Sequence, residues 1–87
     1  MRGRKLVGIN VRRLRVERDI SQERLAFDSG VDRSYLGGVE RGEENPTIDI
    51  LDRIAATLSV HVSELVEELP SDAKRPTGLK PGRKPSR

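Results

Sequence analysis

The sequence predicts an all-α fold built from five short helices. Apolar residues recur at spacings of three and four in several separate segments, which is the pattern of helices that bury one face. Residues that favour helix N-caps, Ser21, Asp32 and Thr47, stand immediately before three of these segments. Gly30 and Gly42 stand where two segments end, and glycine is the residue most often found just after a helix.

Length and composition predict a single domain with an aliphatic core. A chain of 87 residues forms one small domain with a modest core, which association into a dimer would stabilise. Phe27 and Tyr35 are the only aromatic residues, so Leu, Ile, Val and Ala must form the core. We expect a flexible basic head over residues 1–5, a helical domain over residues 6–69 and a disordered tail over residues 70–87.

The first helix is predicted from Leu6 to Arg18. Val7, Val11 and Leu14 follow the i, i+4, i+7 spacing of one apolar stripe, and arginines occupy the other faces. This helix therefore combines a core-facing stripe with a strongly basic surface.

Residues 20–47 carry the most informative pattern. One short helix is predicted to begin after Ser21 and to end at Gly30, which adopts the left-handed conformation without steric penalty. The next helix is predicted over residues 32–41 and ends at Gly42. Two short helices joined by a tight turn that contains glycine form a helix-turn-helix, which places its second helix in the DNA major groove.

A fourth helix is predicted after Thr47 and a short fifth helix after Ser63. The fourth carries apolar residues at helical spacing, namely Ile48, Leu51, Ile54, Ala55 and Leu58. From Pro70 to Arg87 the chain holds four prolines, two glycines and six Lys/Arg, with a single large apolar residue. Such a segment cannot offset the entropy lost on ordering, so we expect it to be disordered.

The net charge of +3 conceals a segregated pattern. Residues 1–18 carry a net charge of +6, residues 19–69 carry −8 and residues 70–87 carry +5. The predicted helix-turn-helix is therefore acidic, which is unusual for a DNA-binding protein. Attraction to phosphates would have to come from the first helix, the two ends and a few placed arginines.

Several classes of protein are excluded or disfavoured. The absence of cysteine excludes a disulfide scaffold and Cys-based zinc sites, and no apolar run approaches the roughly 20 residues of a membrane span. His61 is the only histidine and lacks a metal-ligand partner at useful spacing. Gly37-Gly38 is not followed by the Lys-Ser/Thr of a phosphate-binding loop. The sequence predicts neither an enzyme nor a cofactor, metal or small-molecule ligand.

Eight short sequence elements fall in order along the chain, namely Val7-Gly8, Arg12 to Arg15, Ile20-Ser21-Gln22-Glu23-Arg24-Leu25-Ala26, Gly30-Val31, Tyr35-Leu36, Glu40-Arg41-Gly42, Asn45-Pro46-Thr47 and Ile54-Ala55-Ala56-Thr57-Leu58. With these elements the chain resembles the XRE family, the phage-repressor (Cro/cI) type of helix-turn-helix, from about Val7 to Leu69. Within the family, residues 32–36 look most like those of restriction-modification controller proteins. The resemblance implies five helices in the lambda-repressor-like arrangement.

Residues at the start of the third helix are the candidates for contact with bases. Arg33 can donate two hydrogen bonds to guanine O6 and N7, and Ser34 can bond a base or a phosphate. Asp32 is expected to cap the helix, although an acid there could also accept from cytosine N4. Tyr35 resembles the tyrosine that controller proteins place against the DNA backbone. The alternatives are a solvated Arg33 and a Tyr35 that lies partly in the core.

Gly37 and Gly38 depart from the general family pattern, in which a long polar side chain often stands at the position of Gly38. Two glycines cost a helix roughly 1 kcal/mol each relative to alanine. They would allow the backbone of the third helix to approach DNA closely, and the protein would then depend more on DNA shape. The alternative is tight packing against the first or fourth helix.

The family resemblance implies three phosphate contacts, a buried ion pair and a dimer surface. Gln22, at the start of the second helix, would donate to a phosphate. Arg41 and Asn45 would do so after the third helix. Arg15 and Glu40 would form a largely buried ion pair. Relatives often dimerise through the fifth helix and the preceding loop, which would give a two-fold dimer through Val60, Val62, Leu65, Val66 and Leu69. The alternative is that these residues cap the core of their own chain.

Two short basic motifs lie in the head and the tail. Residues 80–85, Lys-Pro-Gly-Arg-Lys-Pro, resemble an AT-hook without its central Arg-Gly-Arg, and Arg2-Gly3-Arg4 supplies that triplet without proline. These motifs could enter the minor groove, contact phosphates without sequence preference, or serve solubility.

Taken together, these patterns predict sequence-specific binding of duplex DNA by a homodimeric transcriptional regulator, a repressor or a controller. Residues 32–41 would contact the major groove, and the protein would be cytoplasmic and associated with the nucleoid. Two alternatives remain. One is a protein-interaction module, such as an antitoxin or a bridging coactivator. The other is a nucleoid-type binder with little sequence preference.

Overall fold

A computed structural model describes residues 2–68 of the chain. Its elements are four α-helices, α1 (Arg2–Glu17), α2 (Gln22–Ser29), α3 (Arg33–Glu40) and α4 (Ile48–Leu58), followed by a 3₁₀ helix (Val62–Leu65). The predicted all-α class is confirmed, since no strand occurs among the described residues. Within that part of the chain, no helix has the length and apolar character of a bilayer span.

The prediction of a fifth α-helix after Ser63 is wrong, because that segment is one 3₁₀ turn. It is closed by the bonds from Glu64 N–H to the His61 carbonyl (2.9 Å) and from Val66 N–H to the Ser63 carbonyl (3.2 Å). The buried Asn10 side chain of α1 donates to the carbonyls of Leu65 (3.1 Å) and Glu67 (2.8 Å). Those carbonyls are thus satisfied by α1, and a short i→i+3 turn suffices here.

Helix α1 begins at Arg2, four residues earlier than predicted. Residues 2–5 therefore extend the helix and do not form a separate flexible head. Two tertiary contacts lie at this first turn. Arg2 forms an ion pair with Glu68, and the backbone of Lys5 packs closely against Gly42 after α3.

The predicted N-caps are confirmed at three helices. The side chains of Ser21, Asp32 and Thr47 each accept a hydrogen bond from a backbone N–H of the first turn, at 3.0–3.1 Å. Each satisfies one of the N–H groups that a helix N-terminus leaves without an intrahelical partner.

All four α-helices end in the same way. The residue after the last turn is left-handed, and two backbone N–H groups bond back to carbonyls of that turn, as in a Schellman motif. Gly30 (φ 72°) and Gly42 (φ 77°) occupy this position after α2 and α3, as predicted for Gly30. Asp19 (φ 56°) and Ser59 (φ 60°) occupy it after α1 and α4, although neither is glycine.

The core is aliphatic, as predicted. The stripe predicted on α1 contributes to it, together with two apolar residues from each of α2 and α3 and the inner face of α4. Phe27 and Ile48 lie outside it, and Phe27 is 81% exposed on α2. The buried apolar residues are Val7, Val11, Leu14, Leu25, Ala26, Val31, Leu36, Val39, Leu51, Ile54, Ala55, Leu58 and Leu65.

Close contacts with α1 and α4 fix the position of the α2–α3 pair. A Cβ atom on Gly8 of α1 would lie 2.6 Å from the carbonyl oxygens of both Val39 and Glu40, so α1 and α3 touch backbone to backbone. Arg53 of α4 donates to the carbonyls of Ser29 (3.3 Å) and Gly30 (2.8 Å) at the end of α2. The pair is therefore supported on two sides.

Candidate nucleic-acid interface

The turn between α2 and α3 orients the two helices by local hydrogen bonds. Gly30 N–H donates to the Phe27 carbonyl (3.3 Å), and Val31 N–H donates to the Ala26 carbonyl (3.0 Å). Val31 is buried, which anchors the turn to the core. The chain then enters α3 at once through the Asp32 cap. The structure thus forms the helix-turn-helix predicted from residues 20–47.

One face of α3 points away from the core. Leu36 and Val39 are buried, so residues 33, 34, 37, 38 and 41, which lie three or four apart, share the opposite face. Arg33 and Ser34 stand exposed at the N-terminal end of this face. The predicted candidates for base contact are therefore exposed at the start of the second helix of the motif.

The guanidinium of Arg33 is held only weakly. Its Nε lies 3.8 Å from Glu23 Oε2, and the two side chains are 59% and 79% exposed. An exposed pair at this distance contributes little stability, so the guanidinium can exchange Glu23 for another acceptor.

Asp32 and Tyr35 are more constrained than Arg33. Asp32 Oδ2 accepts from the Tyr35 N–H at 3.0 Å, so the structure supports the capping role foreseen for this residue. Tyr35 is half-buried against the core, and it borders an open groove of about 380 Å³ that also includes Ile50 and Arg53. The ring is thus partly in the core, and it also reaches the surface beside α3.

Gln22 is turned toward α3. Its Nε2 donates to Glu40 Oε1 at 2.9 Å, which links the first residue of α2 to the last residue of α3. An amide nitrogen carries two N–H groups, so one donor remains for another acceptor.

Arg41 and Asn45 occupy different places. Arg41 Nε lies 3.1 Å from Glu43 Oε1, with both side chains exposed. Its guanidinium also passes over Gly37, where an added Cβ would lie 3.2 Å from Arg41 Nη1. Asn45 is exposed and borders a second open groove, of about 270 Å³, together with Gly3 and Arg4 of α1. It therefore lies near the basic start of α1.

Gly37 and Gly38 are both buried, although they lie on the outward face of α3. The alternative of packing against the first or fourth helix is wrong, because side chains from α2, from the C-cap of α3 and from the following loop cover them. A Cβ on Gly37 would meet Arg41 and Gln22, and a Cβ on Gly38 would lie 2.7 Å from Glu44 Cγ. Direct approach of DNA to the Gly38 backbone is likewise obstructed while Glu44 covers it.

Sequence reasoning missed Glu44. The sequence did contain a signal for it, namely that Glu44 follows Gly42 by two residues. A helix that ends in a Schellman turn at Gly42 brings the residues after that turn back over the last turn of the helix. A glycine at position 38 leaves room there for a side chain.

The predicted dimer surface is largely occupied within the single chain. Leu65 is fully buried and belongs to the chain's own core, so its assignment to a dimer surface is wrong. Val60 and Val62 are half-buried against the same core, whereas Val66 is 51% exposed. Leu69 and the tail motif at residues 80–85 lie outside the described residues.

Comparisons with known proteins agree with this architecture. Residues 11–65 match the family model HTH_3, described as helix-turn-helix. The chain is 46% identical over 63 residues to an uncharacterized HTH-type transcriptional regulator, y4dJ, of Sinorhizobium fredii, covering 72% of this chain and 82% of that protein.

Two solved structures connect the fold to regulators. The restriction-modification controller protein C.AhdI from Aeromonas hydrophila superposes with a TM-score of 0.72 and 42% identity, covering 75% of this chain and 98% of that one. The master regulator for biofilm formation SinR, solved in complex with DNA, superposes with a TM-score of 0.68 and 35% identity. That match covers 70% of this chain and 98% of SinR's chain.

Proposed function

This chain belongs to the XRE-type helix-turn-helix family, and we propose that it is a transcriptional regulator that binds a specific duplex DNA sequence through α3. The observation that carries the proposal is the exposed face of α3, where Arg33 and Ser34 stand at the N-terminal end of the second helix of the motif. The similarity to SinR, whose structure was solved with DNA, supports the same function.

In the proposed complex, α3 enters the major groove by its N-terminal end. Arg33 leaves Glu23 and donates two hydrogen bonds to guanine O6 and N7, while Ser34 bonds the neighbouring base or phosphate. Tyr35, at the edge of the protein groove that it forms with Ile50 and Arg53, contacts the DNA backbone. Asp32 remains the cap that fixes the first turn.

Phosphates on either side of the groove complete the contact. Gln22 offers its second N–H at the start of α2, where the helix dipole also favours an anion. Arg41, at the end of α3, and Asn45, near the start of α1, would also donate hydrogen bonds to phosphates. Because residues 19–69 carry a net charge of −8, the basic α1 and the tail would supply the long-range attraction.

We also propose a two-fold homodimer. Val60, Val62, Val66 and Leu69 remain candidates for its surface, and Leu65 is not among them. A dimer of this motif binds two half-sites about 34–36 Å apart, or a multiple of that distance, so the target would be a pseudo-palindrome. The proposed location of the protein is the bacterial cytoplasm, in association with the nucleoid.

The similarity to C.AhdI makes a controller of a restriction-modification system one specific form of the proposal. A methyltransferase gene and an endonuclease gene beside the reading frame would support it. A neighbouring toxin gene would instead support an antitoxin.

A protein-interaction role is the second candidate. The observations that favour it are the acidic body and Phe27, an aromatic side chain that is 81% exposed on α2. Exposed aromatic residues are common at the centres of protein interfaces. A nucleoid-type binder with little sequence preference, driven by the basic ends of the chain, is a third form.

Selection from a random duplex DNA library at about 0.15 M salt tests these alternatives. We expect the full chain to enrich one pseudo-palindromic sequence, and a parallel selection without residues 70–87 to enrich the same sequence at lower affinity. Failure of both proteins to enrich any sequence would reject the proposed function in favour of a protein partner. Unspecific binding by the full chain alone would indicate the nucleoid-type role.

A further inference from the structure

The turn that ends α3 folds the chain back over the helix. Gly42 N–H donates to the Val39 carbonyl (3.0 Å) and Glu43 N–H donates to the Gly38 carbonyl (2.9 Å). Gly42 takes the left-handed conformation (φ 77°) that this turn requires. The next residue, Glu44, is thereby brought across the last turn of α3.

The Glu44 side chain lies directly on Gly38. A Cβ atom on Gly38 would be 2.7 Å from Glu44 Cγ, 3.0 Å from Oε2 and 3.3 Å from Cδ. These distances leave no room for any side chain at position 38 while Glu44 stays in place. Gly38 and Glu44 therefore form one structural unit, in which the loop residue fills the space of the absent side chain.

This unit lies on the face of α3 that carries Arg33 and Ser34. Residues 34 and 38 are four apart in one helix, so position 38 stands one turn beyond Ser34 on the same side. Glu44 is half-buried, and its side chain covers that position. The acceptor atoms of Glu44 thus belong to the surface proposed to face the bases.

The carboxylate of Glu44 is not engaged within the described part of the chain. Glu40 is bound by Arg15, and Glu43 lies beside Arg41. By contrast, none of the ion pairs or side-chain hydrogen bonds found within residues 2–68 involves Glu44. An ionised carboxylate only accepts hydrogen bonds, so this one is available to a donor.

We propose that Glu44 supplies the base contact that α3 lacks at Gly38, by accepting a hydrogen bond from the N4 amino group of a cytosine in the major groove. The inference rests on the proposed function. Cytosine presents a donor there, whereas guanine and thymine present acceptor oxygens that repel a carboxylate. Adenine offers its N6 donor beside the N7 acceptor, which makes it the poorer partner.

The test begins with the sequence that the full wild-type chain selects. If the wild type selects none, the proposed function fails and the role of Glu44 is rejected with it. If it selects one, dissociation constants are measured for the four base pairs at each position, and for a site whose cytosine is replaced by 2-pyrimidinone, which lacks the N4 amino group. We expect one position at which that replacement weakens wild-type binding roughly 10- to 100-fold.

Three variants assign that position to Glu44. E44A should bind cytosine and 2-pyrimidinone equally well there, with the remaining sequence preferences intact. E44Q keeps the shape that covers Gly38, and its amide should shift the preference toward adenine, which glutamine recognises through N6 and N7. G38A should weaken the same position, because the added methyl group displaces the Glu44 side chain.

E43Q is the matched control, since Glu43 is the adjacent acid and is exposed beside Arg41. It should leave the preference at the Glu44 position unchanged. The inference is overturned if E44A and E44Q retain the wild-type base preference and only bind every sequence more tightly, as removal of a charge that repels phosphate would cause. Circular dichroism confirms that each variant is folded.

Discussion

The guanidinium of Arg15 in α1 donates two hydrogen bonds to the carboxylate of Glu40 at the end of α3, from Nε to Oε2 (2.7 Å) and from Nη2 to Oε1 (3.1 Å). The side chains are only 13% and 3% exposed. Gln22 adds a third bond to Glu40, and Arg15 Nη1 donates to the Ile20 carbonyl before α2. A single buried carboxylate therefore joins α1, α2 and α3, and sets the position of the helix proposed to contact bases.

We expect Glu40→Ala to destabilise the protein by about 3–5 kcal/mol, because it leaves the Arg15 charge mostly buried without its partner. This is a large fraction of the stability of a small domain, roughly 5–15 kcal/mol. Urea denaturation followed by circular dichroism measures the change. Glu43→Ala is the control, since that exposed acid should contribute less than about 1 kcal/mol. A loss below about 1 kcal/mol for Glu40→Ala would show that the pair is not a main support of the fold.

Gly8 allows the closest approach of α1 to α3, and Gly3 serves as its internal control. Gly8→Ala would place a methyl group 2.6 Å from two backbone carbonyl oxygens that cannot move aside independently. We expect a loss of about 1–3 kcal/mol from this overpacking. Gly3→Ala meets nothing within 4 Å and should stabilise α1 by up to about 1 kcal/mol. Equal effects of the two substitutions on thermal unfolding would contradict the proposed close contact.

Features encoded by nearby residues were predictable from sequence, and features that depend on distant contacts were not. Ser21, Asp32 and Thr47 cap helices through bonds within three residues, so residue type and position sufficed to identify them. The first turn of α1 instead packs against Gly42, far along the chain, through the backbone of Lys5. The 3₁₀ turn likewise depends on Asn10 binding carbonyls more than 50 residues away.

The same division applies to the candidate site. Arg33 and Ser34 were found because they open the second helix of a recognisable motif. Glu44 was missed because its position depends on a turn that folds the chain back over α3.

Ser59 holds the left-handed position at the end of α4, which suits glycine better than serine. For a residue with a Cβ, this conformation costs about 1–2 kcal/mol, and part of the gain from glycine is offset by about 0.4–1 kcal/mol of added unfolded-state entropy. We expect Ser59→Gly to raise stability by roughly 0.5–1 kcal/mol. Ala56→Gly, inside the same helix, should have the opposite sign, a loss of about 1 kcal/mol. Destabilisation by both glycines in differential scanning calorimetry would refute this account of the α4 terminus.

Arg33→Ala should weaken binding of the selected DNA by about 1–3 kcal/mol and relax the preference at one base pair. The physical reason is the loss of two parallel hydrogen bonds to one guanine. Arg33→Lys keeps the positive charge but cannot form that pair of bonds, so it should relax the preference in the same position and recover little of the affinity. Binding titrations on sites that differ at single base pairs measure both quantities.

Arg24→Ala is the control that distinguishes loss of a base contact at Arg33 from loss of one positive charge. Arg24 is exposed and pairs with Asp28 along α2 at 2.8 Å, so its removal takes one positive charge from the domain without touching the outward face of α3. We expect the Arg24 variant to keep every base preference and to change the salt dependence only slightly. If Arg33→Ala behaves like Arg24→Ala, with all preferences intact, then Arg33 does not contact a base. In that event the specificity of α3 would have to come from its remaining side chains or from DNA shape.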